Sequence, residues 1–158
     1  MKYRVDLKKF VEDERIVNSG ILIIRFDKQD ISILLLKRKD HKHWEIPGGK
    51  VELFDRINNS KYTTLKNAAL REVKEEIGLE FKNKLENIKP FFIDFTSPDN
   101  KKRRSYNFIS FHNSLPKQIE TNFSESKFIS IGSLKKYKLA PNVITLSKMI
   151  FDGYLNKN

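Results

Sequence analysis

Residues 63–78, TTLKNAALREVKEEIG, constrain the fold more than any other stretch of the chain. Ala69, Leu70, Val73 and Ile77 recur at spacings of three and four, which places them on one stripe of a helix. Thr63 or Thr64 can cap its start, and Gly78 stands where a helix stops. A helix with one apolar stripe must lie against something, and strands precede and follow it. GILIIRF and ISILLLKR flank the polar tip DKQD and predict a β-hairpin. KPFFIDFTS and SYNFISFHN predict two strands around the basic turn PDNKKRR, and SKFISI predicts another. The closing segment PNVITLSKMIFDGYLNK opens on Pro141 and carries Val143, Ile144, Leu146, Ile150 and Phe151, the pattern of a terminal helix. The opening MKYRVDLKKFVEDERIVNS gives only a weak signal, for a strand or a short helix. Mixed strands with two helices predict an α+β or α/β sandwich. A length of 158 residues suits a single domain over 1–158.

The helix carries a second pattern. Glu72, Glu75 and Glu76 stand at i, i+3 and i+4 and share one face. Three carboxylates so placed repel one another unless something positive sits between them. A hard divalent cation such as Mg²⁺ takes oxygen ligands and also binds phosphate oxygens. A carboxylate left over could accept a proton from an attacking water. Arg71, beside Glu72 and four residues before Glu75, can hold one carboxylate in place. The other reading of this face is a solvated surface with Glu–Lys pairs through Lys74 and Lys82. Upstream, Pro47, Gly48 and Gly49 interrupt regular structure, and glycines let backbone approach a ligand closely.

REVKEEIGL, Arg71 to Leu79, resembles the second half of the Nudix box, G-x5-E-x7-R-E-U-x-E-E-x-G-U with U aliphatic. WEIPGGKVE (44–52) and AALRE (68–72) are also similar to that family. The match departs from the pattern in two places. The sixth residue after Gly49 is Asp55 instead of glutamate. Arg71 comes eight positions late, so RINNSKYT, residues 56–63, reads as an inserted surface loop ahead of the helix.

The resemblance implies an α/β fold, the Nudix-type α/β/α sandwich with a mixed sheet. It implies a pyrophosphohydrolase that uses Mg²⁺ or Mn²⁺ to cleave a phosphoanhydride bond in a nucleoside di- or triphosphate derivative. Glu72, Glu75 and Glu76 would be metal ligands, with the Gly49 carbonyl adding an oxygen. Arg71 would orient a glutamate. Glu72 is the first choice as base, followed by Glu125, and Asp55 could replace the missing glutamate. WEIPGGKVE favours the MutT-like members that clean up NTPs and dNTPs. Dinucleoside polyphosphates, sugar nucleotides and RNA 5′ ends are the alternatives within the enzyme class. A non-catalytic nucleotide- or RNA-binding module is the alternative outside it. The partner implied is a nucleotide, and dimers are common in the family.

Other features add less. The net charge of +11 fits a polyanionic partner such as RNA, or simply the Lys- and Asn-rich composition of A+T-rich codons. The absence of cysteine excludes thiolate metal sites and disulfides and fits the cytoplasm. The charged N-terminus does not read as a signal peptide, and GILII and ILLL are too short to span a bilayer. Trp44 reads as core, and His41 and His43 as loop residues. KKRR at 101–104 reads as a solvated hairpin tip, and YNFISF as strand patterning.

Overall fold

The structure, a computed structural model, describes residues 10–57, 60–80, 85–86 and 89–155, with the side chains of the last helix described through Ile150. Residues 1–9, Asn58, Asn59, Lys82 and the side chain of Phe151, all named above, lie outside the described residues. The chain opens with β1 (Val11–Glu12) and β2 (Arg15–Asp27). Asp13 and Glu14 join them with φ of 50° and 62°. Positive φ at both central residues is the two-residue type I′ turn, whose twist suits a hairpin. β2 then turns at Lys28–Gln29 into β3 (Asp30–Arg38), the hairpin expected from the two apolar runs.

β2 and β3 stay paired only from Asp27–Asp30 back to Ile24–Ile33. Beyond that the two strands part. β2 pairs through Asn18–Gly20 with β5 (Gly48–Lys50), while β3 pairs through Leu36 and Lys37 with β4 (Trp44–Glu45). The segment Ile46–Pro47 crosses between the halves, and the Pro47 carbonyl accepts from the Ile21 N–H at 3.1 Å. The split keeps backbone groups satisfied while opening a gap in the sheet. On its other edge β2 runs parallel to β7 (Lys102–Phe111), from Ile16↔Arg103 to Ile24↔Phe111. β6 (Phe91–Thr96) pairs antiparallel with β7, and β8 (Phe123–Ser130) with β3.

α1 (Lys61–Ile77) covers one face of this mixed sheet and α2 (Pro141–Leu155) the other. Alternation along β2 assigns the layers. Val17, Ile21 and Ile23 pack with Leu65, Ala69, Val73 and Ile77 of α1. Leu22, with Ile33, Leu35 and Ile93, packs with Val143 and Leu146 of α2. Trp44 lies in this second core as expected, 6% exposed, with Tyr137 edge-on at 5.7 Å. The result is the α/β/α sandwich. Among the described residues no helix is long and apolar enough to cross a membrane.

Two expectations change. α1 starts earlier than Thr63. Its cap is Ser60, whose Oγ accepts from the Thr63 N–H, and Gly78 ends it at φ 71°. The inserted segment is therefore only partly a loop. Lys61–Thr63 form the first turn of the helix, Lys61 Nζ reaches Glu12 at 2.8 Å, and Tyr62 packs on the core. KKRR is not a solvated tip either. Lys102, Arg103 and Arg104 lie in β7, and Arg104, 9% exposed, bonds Asp94, Glu12 and Asp13. Three carboxylates from two distant segments offset the cost of burying that guanidinium.

Candidate functional site

The carboxylate face of α1 meets the loop after β5 around Arg71. Its Nε and Nη2 donate to the two oxygens of Asp55 at 2.8 and 2.9 Å, a bidentate pair. Nη2 also donates to the Lys50 carbonyl at 3.1 Å, and Nη1 to Glu72 at 3.0 Å and Glu75 at 3.3 Å. Asp55, 4% exposed, in turn accepts from the Glu52 N–H at 2.8 Å. Asp55 thus ties the loop to the helix across the insertion. The shorter aspartate sits on a short 3₁₀ turn, Leu53–Asp55, that brings it to the guanidinium.

Glu72 and Glu76 point toward the β5 backbone. A side chain at Gly49 would place its Cβ 2.5–2.7 Å from the carboxyl atoms of Glu72. Only glycine leaves room for that approach. Glu76, 4% exposed, accepts from the Gly48 N–H at 2.6 Å. Burial pushes the Glu76 carboxyl well above the usual carboxylate range. The Gly48 hydrogen bond opposes that rise, while Glu45, Glu72 and Glu120 add to it. Burial raises Glu72 as well, against the pull of Arg71. Glu76, buried, and Glu72, half-buried, stand side by side with their carboxyls raised, and are groups that a cation would stabilise.

They line one end of a cleft of about 450 Å³. Glu52 and Glu120 share that end. The backbone N–H of Glu120 bonds the Glu76 carbonyl at 2.7 Å, fixing the loop before β8 to the end of α1. Arg38 and Arg103 stand on the cleft walls, each held by carboxylates. Arg38 pairs with Asp40 at 2.8 and 2.9 Å, and Arg103 with Asp99 at 3.3 Å. His41 and His43 also line it, as stacked rings 5.2 Å apart, and buried His43 bonds Glu45 at 3.1 Å. Both lie in the loop ahead of β4 as expected, and the structure adds that they line the cleft. The signal was local: His43 alternates with Trp44, and Glu45 stands two residues on.

Glu75 is placed differently from its neighbours. Its side chain is 55% exposed, and it rests on Arg71 outside the cleft lining. Glu125 lies exposed on β8, its backbone paired with Lys37, away from the cleft. The acidic residue that the chain after β7 brings to the site is Glu120, which sequence reasoning passed over. Among the described residues no group of three His, Cys, Asp or Glu is already arranged to hold a metal ion.

A family model for the NUDIX domain matches residues 14–150. The chain belongs to the Nudix family. It is a Nudix hydrolase, of a family that cleaves phosphoanhydride bonds in nucleoside diphosphate derivatives with divalent metal ions. A search of curated proteins finds no match. Solved structures agree on the Nudix fold. The Ap4A hydrolase of C. elegans superposes with a TM-score of 0.67 at 19% identity, covering 90% of this chain and 98% of that one. The NUDIX domain of Shewanella oneidensis NrtR, complexed with ADP ribose, gives 0.60 at 15%, covering 96% and 94%. The MutT protein of Methanosarcina mazei Go1 gives 0.59 at 22%, covering 94% and 100%. The donor set on the Nudix helix fits a hard cation. It is all carboxylate and backbone oxygen, and the missing Cβ of Gly49 leaves the carboxylate against the main chain.

Proposed function

We propose that this Nudix hydrolase is a Mg²⁺- or Mn²⁺-dependent pyrophosphohydrolase of nucleoside di- and triphosphate derivatives, with MutT-like clean-up of NTPs and dNTPs as its favoured activity. The observation that carries the reading is the pair Glu72 and Glu76, seated against Gly49 and Gly48 with raised pKa values. Glu72, Glu76 and the Gly49 carbonyl would hold the cation, and Glu75 would complete the carboxylate set. Bound there, the metal would neutralise phosphate oxygens and assist in-line attack on the anhydride. The protein's own groups do the rest. Arg71, clamped by Asp55, holds Glu72 in place. Glu72, its carboxyl raised by burial, is the group suited to take a proton from the attacking water. Arg38, Lys50 and Arg103 add positive charge to the cleft for the substrate phosphates.

A cleft of about 450 Å³ sits in the lower part of the size range for one small ligand. That is room for a mononucleotide. The test is phosphate and pyrophosphate release from a panel of NTPs, dNTPs, dinucleoside polyphosphates, ADP-ribose and 5′-triphosphate RNA, with Mg²⁺ and with chelator. Turnover of NTPs that vanishes in chelator is expected. Full activity in excess chelator would overturn the metal reading, and turnover of RNA ends alone would overturn the substrate reading.

A further inference from the structure

His43 is a buried titratable side chain on the cleft wall, beside Arg38 and Glu45. Buried polar groups ordinarily have partners. Of the two ring nitrogens, Nε2 has one, the Glu45 carboxylate at 3.1 Å. Nδ1 makes no hydrogen bond within the described residues, and it is not one of the polar atoms sealed from solvent without a partner. The space left to it is the cleft that the residue lines. One nitrogen fixed by a carboxylate and the other open to a ligand site is an arrangement that orients an imidazole for use.

An ionised carboxylate only accepts, so the nitrogen against Glu45 carries its hydrogen, and a neutral ring turns a bare lone pair outward at Nδ1. A lone pair repels a phosphate oxygen. A ring that has gained a proton at Nδ1 offers that oxygen a charge-assisted hydrogen bond instead. The surroundings favour the charged ring once a phosphate arrives, since anions on both sides stabilise a cation between them. Arg38 of β3 is held by Asp40 at 2.8 and 2.9 Å, and Glu45 of β4 stands 3.8 Å from it, so two carboxylates face one guanidinium. Lys138, ahead of α2, directs its ammonium to the His41 carbonyl at 2.9 Å. His41 stacks on His43, but it is half exposed and has Asp40 at 3.7 Å. On the α1 side, Glu45 is the foremost charged group acting on Glu76. His43 is therefore one carboxylate removed from Glu76, at the end of the cleft where a cation on Glu72 and Glu76 would draw the substrate phosphates.

We propose that His43 is a phosphate-binding residue of the cleft, which takes up a proton as the nucleotide binds and donates Nδ1–H to a phosphate oxygen. The proposal rests on the nucleotide reading above, and its readout is the state of the ring, which does not require turnover. The chain has three histidines, few enough for ¹⁵N spectra of labelled imidazoles to resolve. The full chain in Mg²⁺ at about pH 8, where an ordinary histidine is neutral, is titrated with α,β-methylene-ATP, which cannot be cut between those two phosphates. His43 should carry hydrogen on Nε2 alone before the analogue is added and on both nitrogens once it is bound. Glu45→Gln removes the anion behind the ring, and the second proton should then appear on less than about half of the bound molecules. His43→Gln should bind the analogue about 10–100-fold more weakly, the worth of a hydrogen bond to a charged group. A wild-type His43 that stays neutral with the analogue bound, a ring already charged without it, or no detectable binding of the analogue would overturn the proposal. So would a folded His43→Gln protein that binds as tightly as wild type. Charging of His43 by the analogue in a protein that hydrolyses no nucleotide would sustain it while refuting the catalytic proposal. Mg²⁺-dependent hydrolysis with His43 neutral in the complex would refute it alone.

Discussion

Replacing Asp55 by asparagine tests the joint that holds the site together. The Asp55 side chain is 3% exposed and that of Arg71 21%, so the pair is screened little by water. Breaking a buried ion pair by removing one partner costs about 3–5 kcal/mol. Two features reduce that here. Asparagine keeps one oxygen, which can accept from two of the three donors that now reach Asp55 (Arg71 Nε, Arg71 Nη2 and the Glu52 N–H), but it loses the negative charge. Arg71 also keeps Glu72 and Glu75. The expected loss is about 2–3 kcal/mol. In a domain of this size that lowers the melting temperature by about 5–10 °C. The functional effect follows from where Arg71 goes. Freed from Asp55, the guanidinium is drawn to Glu72 and pulls its carboxylate off Gly49, which should cost about tenfold or more in kcat. Asp55→Glu restores the charge in a slot built for a shorter side chain and should fall between asparagine and wild type. The assays are urea denaturation and steady-state hydrolysis of an NTP in Mg²⁺. An Asp55→Asn protein that melts within a degree of wild type and turns over normally would refute the idea that this pair positions the helix carboxylates.

Glu76→Gln should cut turnover about 10²-fold or more, the scale of losing one element of charge stabilisation. Yet it should raise the melting temperature in chelator. The folded-state pKa of Glu76 is raised, so between the unfolded value and that raised value the native state holds the extra proton. Stability of the metal-free protein therefore falls as pH rises through this window. The benefit of Glu76→Gln should grow from pH 5 to 7, as thermal melts at stepped pH will read. Glu12 has the opposite sign. Burial pushes it up, but Lys61, Tyr106 and Arg104 together bring it down to about 2. Its contribution is present above the unfolded value and lost as pH falls toward 2, so Glu12→Gln should flatten the acid side of the same curve. Deleting 56–63 removes the Ser60 cap and the Lys61–Glu12 pair along with the loop. It should lower the urea midpoint by more than a loop deletion alone while Mg²⁺-dependent stabilisation survives. Loss of that stabilisation in a folded deletion mutant would place the insertion inside the metal site.

The legible parts of this fold were those governed by local pattern. Alternating apolar runs gave the β2–β3 hairpin, and the 3.6-residue period gave α1 and its glycine stop. What escaped was decided by partners far away in the chain. Arg104 looks like part of a basic run. Only Glu12, Asp13 and Asp94, brought in by β1 and β6, make it an interior residue. The inserted RINNSKYT reads as polar loop because Tyr62 and Lys61 gain their partners only in three dimensions. At the site, Glu72, Glu76 and Gly49 were visible as a motif, and Asp55, the sixth residue after Gly49, pairs with Arg71 through both of its oxygens. Glu120 carries no motif. It is a loop glutamate that acquires its place only through the bond of its N–H to the Glu76 carbonyl.

That splitting also bears on how the chain folds. β2 is the hub of the sheet, yet its longest partnership is with β7, and Ile16 pairs with Arg103 across more than half the chain. Parallel pairing of such separation must close a long loop before any contact rewards it, which slows folding. The α1 carboxylates and the β5 glycines can come together early, being close in sequence. The part of the cleft lined by Ser105 and Asn107 of β7 forms only with the most distant pairing. A partly folded chain would thus hold the helix carboxylates against the β5 glycines before the far wall of the cleft exists, and the cleft would be completed only by the final step of folding.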